Sequence, residues 1–259
     1  MSSPSRKDTG HANGDGVPVV FLSGMLADQR MWHPAIAALG DLDDLDDPDD
    51  PAKPGLIPVF CELFDQDTVA DMASAVLDTA PDRFALVGMS MGGYAAFEIL
   101  RQAQERVSHL MLVNTRATAD SDAERRRRLL LSRFVAAREP FVAVNDGMLD
   151  EMLHPDNRND AALVGLLKAM GDACGAGVFK RQNNAVALRP DSMADLGDIA
   201  VPCSVLVGTH DRIISPESHR DMVEAIPGAT YHEIAGAGHY VPLEQPQLFA
   251  RYLVELLGR

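Results

Sequence analysis

The chain has 259 residues, of which 46% are hydrophobic, and it carries a formal net charge of −15 at pH 7. This length accommodates one α/β domain with a sizeable core and an inserted subdomain. The composition is that of a globular protein, and the strong negative charge argues against nucleic acid and anionic membranes as partners. No apolar run approaches the 18 residues of a membrane span, so we expect no membrane association.

The chain begins with a polar segment, residues 1–16, that lacks the apolar stretch of a signal peptide. We expect a disordered tail there. The three cysteines, Cys61, Cys174 and Cys203, form neither a metal-binding pattern nor a disulfide framework. Because an odd number of widely spaced cysteines suits a reducing compartment, we expect a cytoplasmic protein without a metal site.

Six short apolar runs alternate along the chain with longer segments of helical character. The runs are Val17–Leu22, Ile57–Phe60, Phe84–Val87, Val107–Val113, Ser204–Val207 and Thr230–Ile234. This alternation predicts βαβ units, and hence an α/β fold with a mainly parallel central sheet flanked by helices. An acidic stretch at residues 41–55, interrupted by prolines, is predicted to be a solvated loop without the spacing of an EF-hand calcium site.

A long gap separates the fourth run from the fifth. The residues between Val113 and Ser204 contain no convincing strand and have helical patterns instead. We therefore predict a helical cap over residues 114–190, inserted into a core that consists of residues 17–113 and 191–259.

The segment Gly88-Met89-Ser90-Met91-Gly92-Gly93 follows the third apolar run and precedes a helical segment. Taken alone, a serine among glycines also fits an ordinary turn. Between a strand and a helix, the G-x-S-x-G pattern is typical of a nucleophilic serine on a tight bend, with glycines where side chains would crowd the backbone. We therefore expect Ser90 to be a nucleophile.

A serine nucleophile needs a base and an orienting carboxylate. Of the eight histidines, His239 lies in a loop of small residues after the last apolar run, and Asp211 follows the fifth run. Because the carboxyl ends of parallel strands meet at one edge of a sheet, Ser90, Asp211 and His239 are expected to form a catalytic triad.

Acyl transfer also requires donors to the oxyanion that forms in the transition state. The backbone N–H of Met91, directly after Ser90, is one candidate. The loop Ser23-Gly24-Met25-Leu26 after the first run supplies the other, and the N–H of Met25 is our choice.

The Ser90 motif, the segment Gly208-Thr209-His210-Asp211 and the pair Gly238-His239 resemble the α/β-hydrolase superfamily, with the triad in the order Ser, Asp, His. More narrowly, they are similar to small carboxylesterases and enol-lactone hydrolases. The resemblance covers residues 17–259. It implies an α/β-hydrolase fold with a helical lid, hydrolysis of a small-molecule ester or lactone through an acyl-enzyme, and no required cofactor.

Several other activities remain open at this point. Hydrolysis of a C–C bond in a vinylogous diketone and cofactor-free perhydrolysis are compatible with the same motif, and a ligand-binding module on the same fold is a non-enzymatic alternative. Turnover of an activated ester would distinguish an enzyme from such a module. Dehalogenases and epoxide hydrolases of this fold use aspartate as the nucleophile, whereas this chain has Ser90.

Candidate substrate-binding residues are Trp32, which follows the first loop, Met148 and Met152 in the cap, and Arg189 at the end of the cap. For Trp32 we favour packing in the core or against the lid over stacking on a substrate, and packing within the cap explains Met148 and Met152 equally well. The run Arg125–Arg128 fits a solvated helix face, or attraction of a substrate that bears a carboxylate. A lid of this size favours small or medium esters or lactones over long triglycerides. The oligomeric state stays open.

Overall fold

The computed structural model describes residues 16–43, 55–135 and 140–259. Its strands are β1 (Gly16–Leu22), β2 (Gly55–Cys61), β3 (Phe84–Met89), β4 (Val107–Val113), β5 (Cys203–Gly208) and β6 (Thr230–Ile234). They form one sheet in the spatial order β2-β1-β3-β4-β5-β6, and all neighbouring strands are parallel. The predicted α/β fold is thereby confirmed. Most of the predicted tail and of the acidic stretch lies outside the described residues.

Helices connect the strands. They are α1 (His33–Asp43), α2 (Val69–Thr79), α3 (Met91–Ala103), α4 (Asp122–Val135), α5 (Asp146–Met152), α6 (Ala161–Leu188), α7 (Pro216–Ala225), α8 (Val241–Glu244) and α9 (Pro246–Leu257). Several begin at a polar side chain that accepts a backbone N–H of the first turn, as Thr68 does for α2, Asn145 for α5 and Ser215 for α7. These caps satisfy donors that have no partner within the helix.

The sheet separates two apolar cores. Successive side chains of a strand point to opposite faces, so Val19 and Phe21 of β1 pack into one core while Val20 and Leu22 pack into the other. Strands β3 and β5 are buried along their whole length. Burial on both faces is the arrangement expected of a parallel sheet covered by helices. It explains why these runs are apolar except at Ser204, whose hydroxyl lies 3.0 Å from Thr230 Oγ1.

Helices α4, α5 and α6 lie in the chain between β4 and β5, and the described residues of this region contain no strand. Helix α4 packs against α6 through buried polar contacts. The Asn183 side-chain amide donates to the carbonyl oxygen of Arg128 (2.7 Å) and to Ser132 Oγ (2.7 Å). The fold therefore carries the helical insertion that the long gap predicts.

Helix α6 is long and bent. It is interrupted at Gly175, whose φ of 72° and ψ of 177° are not helical. By length and composition alone α6 could cross a membrane, although core helices of soluble proteins pass the same test. Its second half is anchored within the protein, because Gln182 and Asn183 are buried and hydrogen-bonded to other segments.

The parallel arrangement brings three loops to one edge of the sheet. Ser90 follows β3, Asp211 follows β5 and His239 follows β6. Because all strands run in the same direction, the three residues emerge at the carboxyl ends of their strands, where ligands bind in sheets of this type.

Candidate active site

Ser90 occupies a strained bend between β3 and α3. Its backbone has φ 53° and ψ −113°, a conformation that a residue with a side chain adopts only when its surroundings enforce it. The Ser90 N–H donates to the carbonyl oxygen of Val113 (3.0 Å), and the Ser90 carbonyl accepts from Gly93 N (3.0 Å) and Thr115 Oγ1 (2.8 Å). These bonds hold the hydroxyl at the edge of the sheet, as the G-x-S-x-G pattern predicts.

Close backbone approach explains the glycine at position 92. A Cβ at Gly92 would lie 2.0 Å from the carbonyl oxygen of Leu22 in β1, which is far inside van der Waals contact. The first turn of α3 therefore rests directly on the backbone of the sheet. This contact fixes where Ser90 and the N–H of Met91 lie.

Ser90, His239 and Asp211 form a continuous chain of hydrogen bonds. Ser90 Oγ lies 3.1 Å from His239 Nε2, and His239 Nδ1 lies 2.9 Å from Asp211 Oδ2. His239 and Asp211 are 4% and 5% exposed, so the carboxylate and the imidazole meet away from bulk water. In this arrangement a neutral His239 can accept the serine proton while the carboxylate holds the ring in one tautomer.

The Asp211 carboxylate is surrounded by donors. Oδ1 accepts from the N–H groups of Ile213 and Ile214 (both 2.9 Å), and Oδ2 accepts from His239 and from Asn114 Nδ2 (2.9 Å). Burial alone would raise the pKa of Asp211. The charge of His239 and these hydrogen bonds outweigh burial and lower the pKa, which favours the ionised carboxylate.

Asn114 is a residue of this site that sequence reasoning did not assign to it. It follows β4, is fully buried and has a positive φ of 47°. Its amide donates to Asp211 Oδ2 (2.9 Å) and to the carbonyl oxygen of Gly238 (3.1 Å). Asn114 therefore joins the loop of the acid to the loop of His239.

Glu244 was likewise not assigned a role, and it ties the segment between α5 and α6 to the His239 loop. Its Oε1 accepts from Gly238 N (2.8 Å) and Tyr240 N (3.3 Å), while its Oε2 accepts from His154 N (2.7 Å) and Asn157 Nδ2 (2.9 Å). The four donors come from two segments far apart in sequence, one on each side of the carboxylate. This convergence makes Glu244 a junction between the two.

The predicted oxyanion donors lie beside Ser90. The backbone N–H groups of Met25 and Met91 donate to no acceptor among the residues that the structure describes. The neighbouring Leu26, with φ 56°, donates its N–H to Gln182 Oε1 (2.9 Å), and Gln182 Nε2 donates to the carbonyl oxygen of Leu63 (3.0 Å). Buried Gln182, another residue that sequence reasoning missed, thus fixes the Met25 loop from α6.

A pocket of about 270 Å³ opens onto Ser90 and His239. Met25, Met91, Met148, Met152 and other apolar side chains line most of it, together with Arg116, Glu124, Arg128 and Asn183. Met148 and Met152 of α5 are among these lining residues. The pocket combines apolar walls with one charged wall, which is typical of small-molecule sites.

Two predicted substrate contacts are corrected by the structure, because Trp32 and Arg189 lie outside the pocket. Trp32 is fully buried, packs against Phe21 and Phe249, and donates from Nε1 to Ser23 Oγ (2.9 Å). It therefore supports the loop that carries Met25 from behind. Arg189 is 6% exposed, and its Nη1 and Nη2 donate to Asp120 Oδ1 and to backbone carbonyl oxygens, whereas its buried Nε has no partner among the described residues.

Asp120 gathers three arginines at the charged wall. It accepts from Arg116 Nη2 and Arg189 Nη1 (both 2.7 Å) and from Arg128 Nε (2.6 Å). The Arg189 guanidinium also stacks 4.1 Å above the ring of Tyr94. Burial acts to raise the pKa of Asp120, but Arg128 and Arg189 outweigh it and lower the pKa, so the carboxylate is ionised. Arg128 is therefore part of an internal cluster, and not of a purely solvated helix face.

In the described part of the chain, no group of three His, Cys, Asp or Glu side chains is arranged to hold a metal ion. The chemistry available at this pocket from the described residues is that of Ser90, His239, Asp211 and the backbone donors beside them.

Comparison with known proteins identifies the family. Residues 49–246, more than half of the chain, match the model of the α/β-hydrolase fold family. The chain belongs to the α/β-hydrolase family. It is 26% identical to a thermophilic esterase from Thermogutta terrifontis, solved with malate bound, with a TM-score of 0.79 over 94% of this chain and 90% of that one.

Two further proteins are similar to this chain over most of its length. A Mycobacterium tuberculosis protein named "Putative non-heme bromoperoxidase BpoC" is 29% identical over 257 residues, which cover 91% of both chains. The enol-lactonase of Burkholderia xenovorans LB400 shares the fold with a TM-score of 0.78 and 22% identity, over 96% of this chain and 94% of that one. The family match, together with the similarity to the esterase, establishes the chain as a hydrolase of the α/β-hydrolase type.

Proposed function

We propose that the chain is a serine hydrolase of small or medium carboxylic esters or lactones, with Ser90 as nucleophile, His239 as general base and Asp211 as the orienting acid. The observation that carries the proposal is the hydrogen-bond chain from Ser90 Oγ to His239 Nε2 (3.1 Å) and from His239 Nδ1 to Asp211 Oδ2 (2.9 Å). Its location at the floor of the pocket supports a role in turnover.

In the first half of the reaction, Ser90 Oγ attacks the carbonyl carbon of the ester and its proton passes to His239 Nε2. Negative charge develops on the carbonyl oxygen, and the N–H groups of Met25 and Met91 are the proposed donors to it. When the tetrahedral intermediate collapses, His239 gives the proton to the departing alcohol. The acyl group remains bonded to Ser90.

In the second half, a water molecule takes the place of the alcohol. His239 accepts a proton from the water as its oxygen attacks the acyl carbon, and the same backbone donors stabilise the second oxyanion. Collapse returns the proton to Ser90 Oγ and releases the carboxylic acid. With a lactone, the alcohol and the acid belong to one product molecule.

The test is turnover of p-nitrophenyl butyrate by purified protein. Ser90→Ala is expected to lower kcat by about a thousandfold or more, with an unchanged circular dichroism spectrum. Ser74→Ala, which removes an exposed serine on α2, is the matched control and should retain activity. A Ser90→Ala protein that is folded and nearly fully active would refute the assignment of the nucleophile.

Perhydrolysis is a second candidate activity, favoured by the similarity to the protein named as a bromoperoxidase. The same acyl-enzyme on Ser90 would react with hydrogen peroxide in place of water and release a peracid. Formation of peracid from an ester and hydrogen peroxide, measured as oxidation of bromide, should depend on Ser90 if this activity is present. Ester hydrolysis without any peracid would leave hydrolysis as the sole function.

We further propose a cytoplasmic location. All three cysteines are free thiols in the structure, including the buried Cys203. This state suits the reducing compartment that their number and spacing predict.

A further inference from the structure

The charged wall of the pocket supplies a second recognition element, separate from Ser90 and His239. We propose that Arg128, held by Asp120 and assisted by Arg116, binds a carboxylate at the end of the substrate remote from the reacting ester. The inference rests on the proposed function. It specifies the substrate class as the monoester of a dicarboxylic acid.

The first support is the orientation of Arg128. Its Nε donates to Asp120 Oδ2 (2.6 Å) and its Nη1 lies 3.4 Å from Asn183 Oδ1, so two contacts fix the plane of the guanidinium. Its Nη2 donates to no acceptor among the described residues, and this atom is accessible rather than buried. A guanidinium held in this way presents open donors to the pocket that it lines.

The second support is the distribution of charge. Arg116, Arg128 and Arg189 share the buried carboxylate of Asp120, and Glu124 pairs with Arg116 (3.0 Å). In this cluster three cations face two anions, which leaves one uncompensated positive charge. Of the three cations, Arg116 and Arg128 line the pocket, and Arg189 lies outside it. The chain as a whole has a net charge of −15, so the wall is a local site of attraction for an anion on a surface that otherwise repels one.

The third support is the position of this charge relative to the reacting groups. Arg128 Nη1 lies 4.0 Å from the sulfur of Met25, and Met25 also carries one of the proposed oxyanion donors. Ser90, Met25 and Arg128 line the same pocket, and most of its other lining residues are apolar. A short aliphatic chain with an ester at one end and a carboxylate at the other matches this sequence of surroundings.

A matched pair of esters tests the inference. Monomethyl adipate and methyl hexanoate have the same ester and chain length, and differ in carrying a carboxylate or a methyl group at the far end. We expect kcat/KM to favour monomethyl adipate, mainly through a lower KM. In Arg128→Gln this preference should fall by about tenfold, the size expected for one charge-assisted contact near solvent. Arg128→Lys, which keeps the charge without the planar fork, should retain part of the preference.

Arg127→Gln is the control variant, since Arg127 is an exposed neighbour on the same helix that does not line the pocket. It should leave the preference for monomethyl adipate at the wild-type level. The preference of the wild-type protein should also weaken as sodium chloride is raised, because salt screens the attraction. This measurement needs no variant and so is independent of the folding of Arg128→Gln.

Failure of this inference and failure of the proposed function give different results. If both esters are hydrolysed through Ser90 but without preference, or if Arg128→Gln keeps the preference, the carboxylate site is refuted while the hydrolase assignment stands. Binding of monomethyl adipate to Ser90→Ala by calorimetry does not depend on turnover. Binding to Ser90→Ala that is lost in Ser90→Ala/Arg128→Gln supports the carboxylate site even if neither ester is cleaved. Absence of binding to Ser90→Ala overturns the carboxylate site.

Discussion

At the scale of single residues, the candidate site contains residues with unusual backbone conformations. The described non-glycine residues with positive φ are Leu26, Ser90 and Asn114, and each lies in a loop that borders the pocket or the triad. Such conformations cost about 1–3 kcal/mol each and persist only where surrounding contacts enforce them. Their concentration at one edge of the sheet agrees with a functional role for that edge.

The ionised state of Asp211 leads to a prediction about acid stability. Because its pKa is lower in the folded chain than the ordinary value of 3.8, its charge stabilises the folded state at neutral pH. That contribution is lost as the pH falls through the folded value, below 3.8. The free energy of unfolding of the wild type should therefore exceed that of Asp211→Asn by about 2 kcal/mol near neutrality, and the difference should shrink below pH 3.8.

Chemical denaturation over a pH series measures this difference. Asp221→Asn removes an exposed carboxylate on α7 and serves as the control, with little change in the free energy of unfolding at any pH. A difference between wild type and Asp211→Asn that stays constant down to the acid limit would show that the carboxylate is not stabilised as described.

At the scale of elements, the strands were accessible from sequence because each is a short apolar run bounded by polar segments. The same argument located Ser90, Asp211 and His239, since a residue that directly follows a strand must lie at the edge of the sheet. Apolar patterning indicates which residues are buried, but it does not indicate which residues they contact. It therefore could not separate the pocket-lining Met148 from the fully buried Trp32.

The residues that sequence reasoning missed act through contacts distant in the chain. Asn114 lies 97 positions from Asp211, and Gln182 lies 156 positions from Leu26. No local pattern marks such pairs, and they become visible only when the helices and strands have packed. Arg189 was misjudged for the same reason, because its partner Asp120 lies 69 positions away.

The junction at Glu244 gives a prediction for the coupling between lid and core. Its two oxygens accept N–H donors from opposite sides, so in Glu244→Gln the amide nitrogen must face one pair of donors whichever way it is turned. We expect the free energy of unfolding to fall by about 1–3 kcal/mol. We also expect kcat to fall, because the His239 loop loses its support.

Thermal unfolding and steady-state ester kinetics measure both effects. Glu255→Gln, at an exposed position on α9, is the control and should behave as the wild type. If Glu244→Gln matches Glu255→Gln in both stability and kcat, the carboxylate is not the junction that its contacts indicate.

At the scale of the whole molecule, residues at the carboxyl edge of the sheet and on the helices between β4 and β5 line a pocket of about 270 Å³ around the proposed nucleophile. A space of this size suits a small or medium ligand better than a long acyl chain. Across p-nitrophenyl esters from acetate to palmitate, kcat/KM should peak at short to medium acyl lengths. Emulsified long-chain triglyceride should be a poor substrate in the same assay, and a strong preference for the emulsion would instead indicate an interfacial lipase.

The central claim is that Ser90 forms a covalent bond to the acyl group during turnover. A fluorophosphonate reacts with an activated serine and leaves a stable adduct, so peptide mass spectrometry after labelling identifies the nucleophile directly. We predict one adduct on the peptide that contains Ser90, loss of ester turnover in proportion to labelling, and no adduct in Ser90→Ala. An adduct at another serine, or full ester turnover after Ser90 has been labelled completely, would contradict the account.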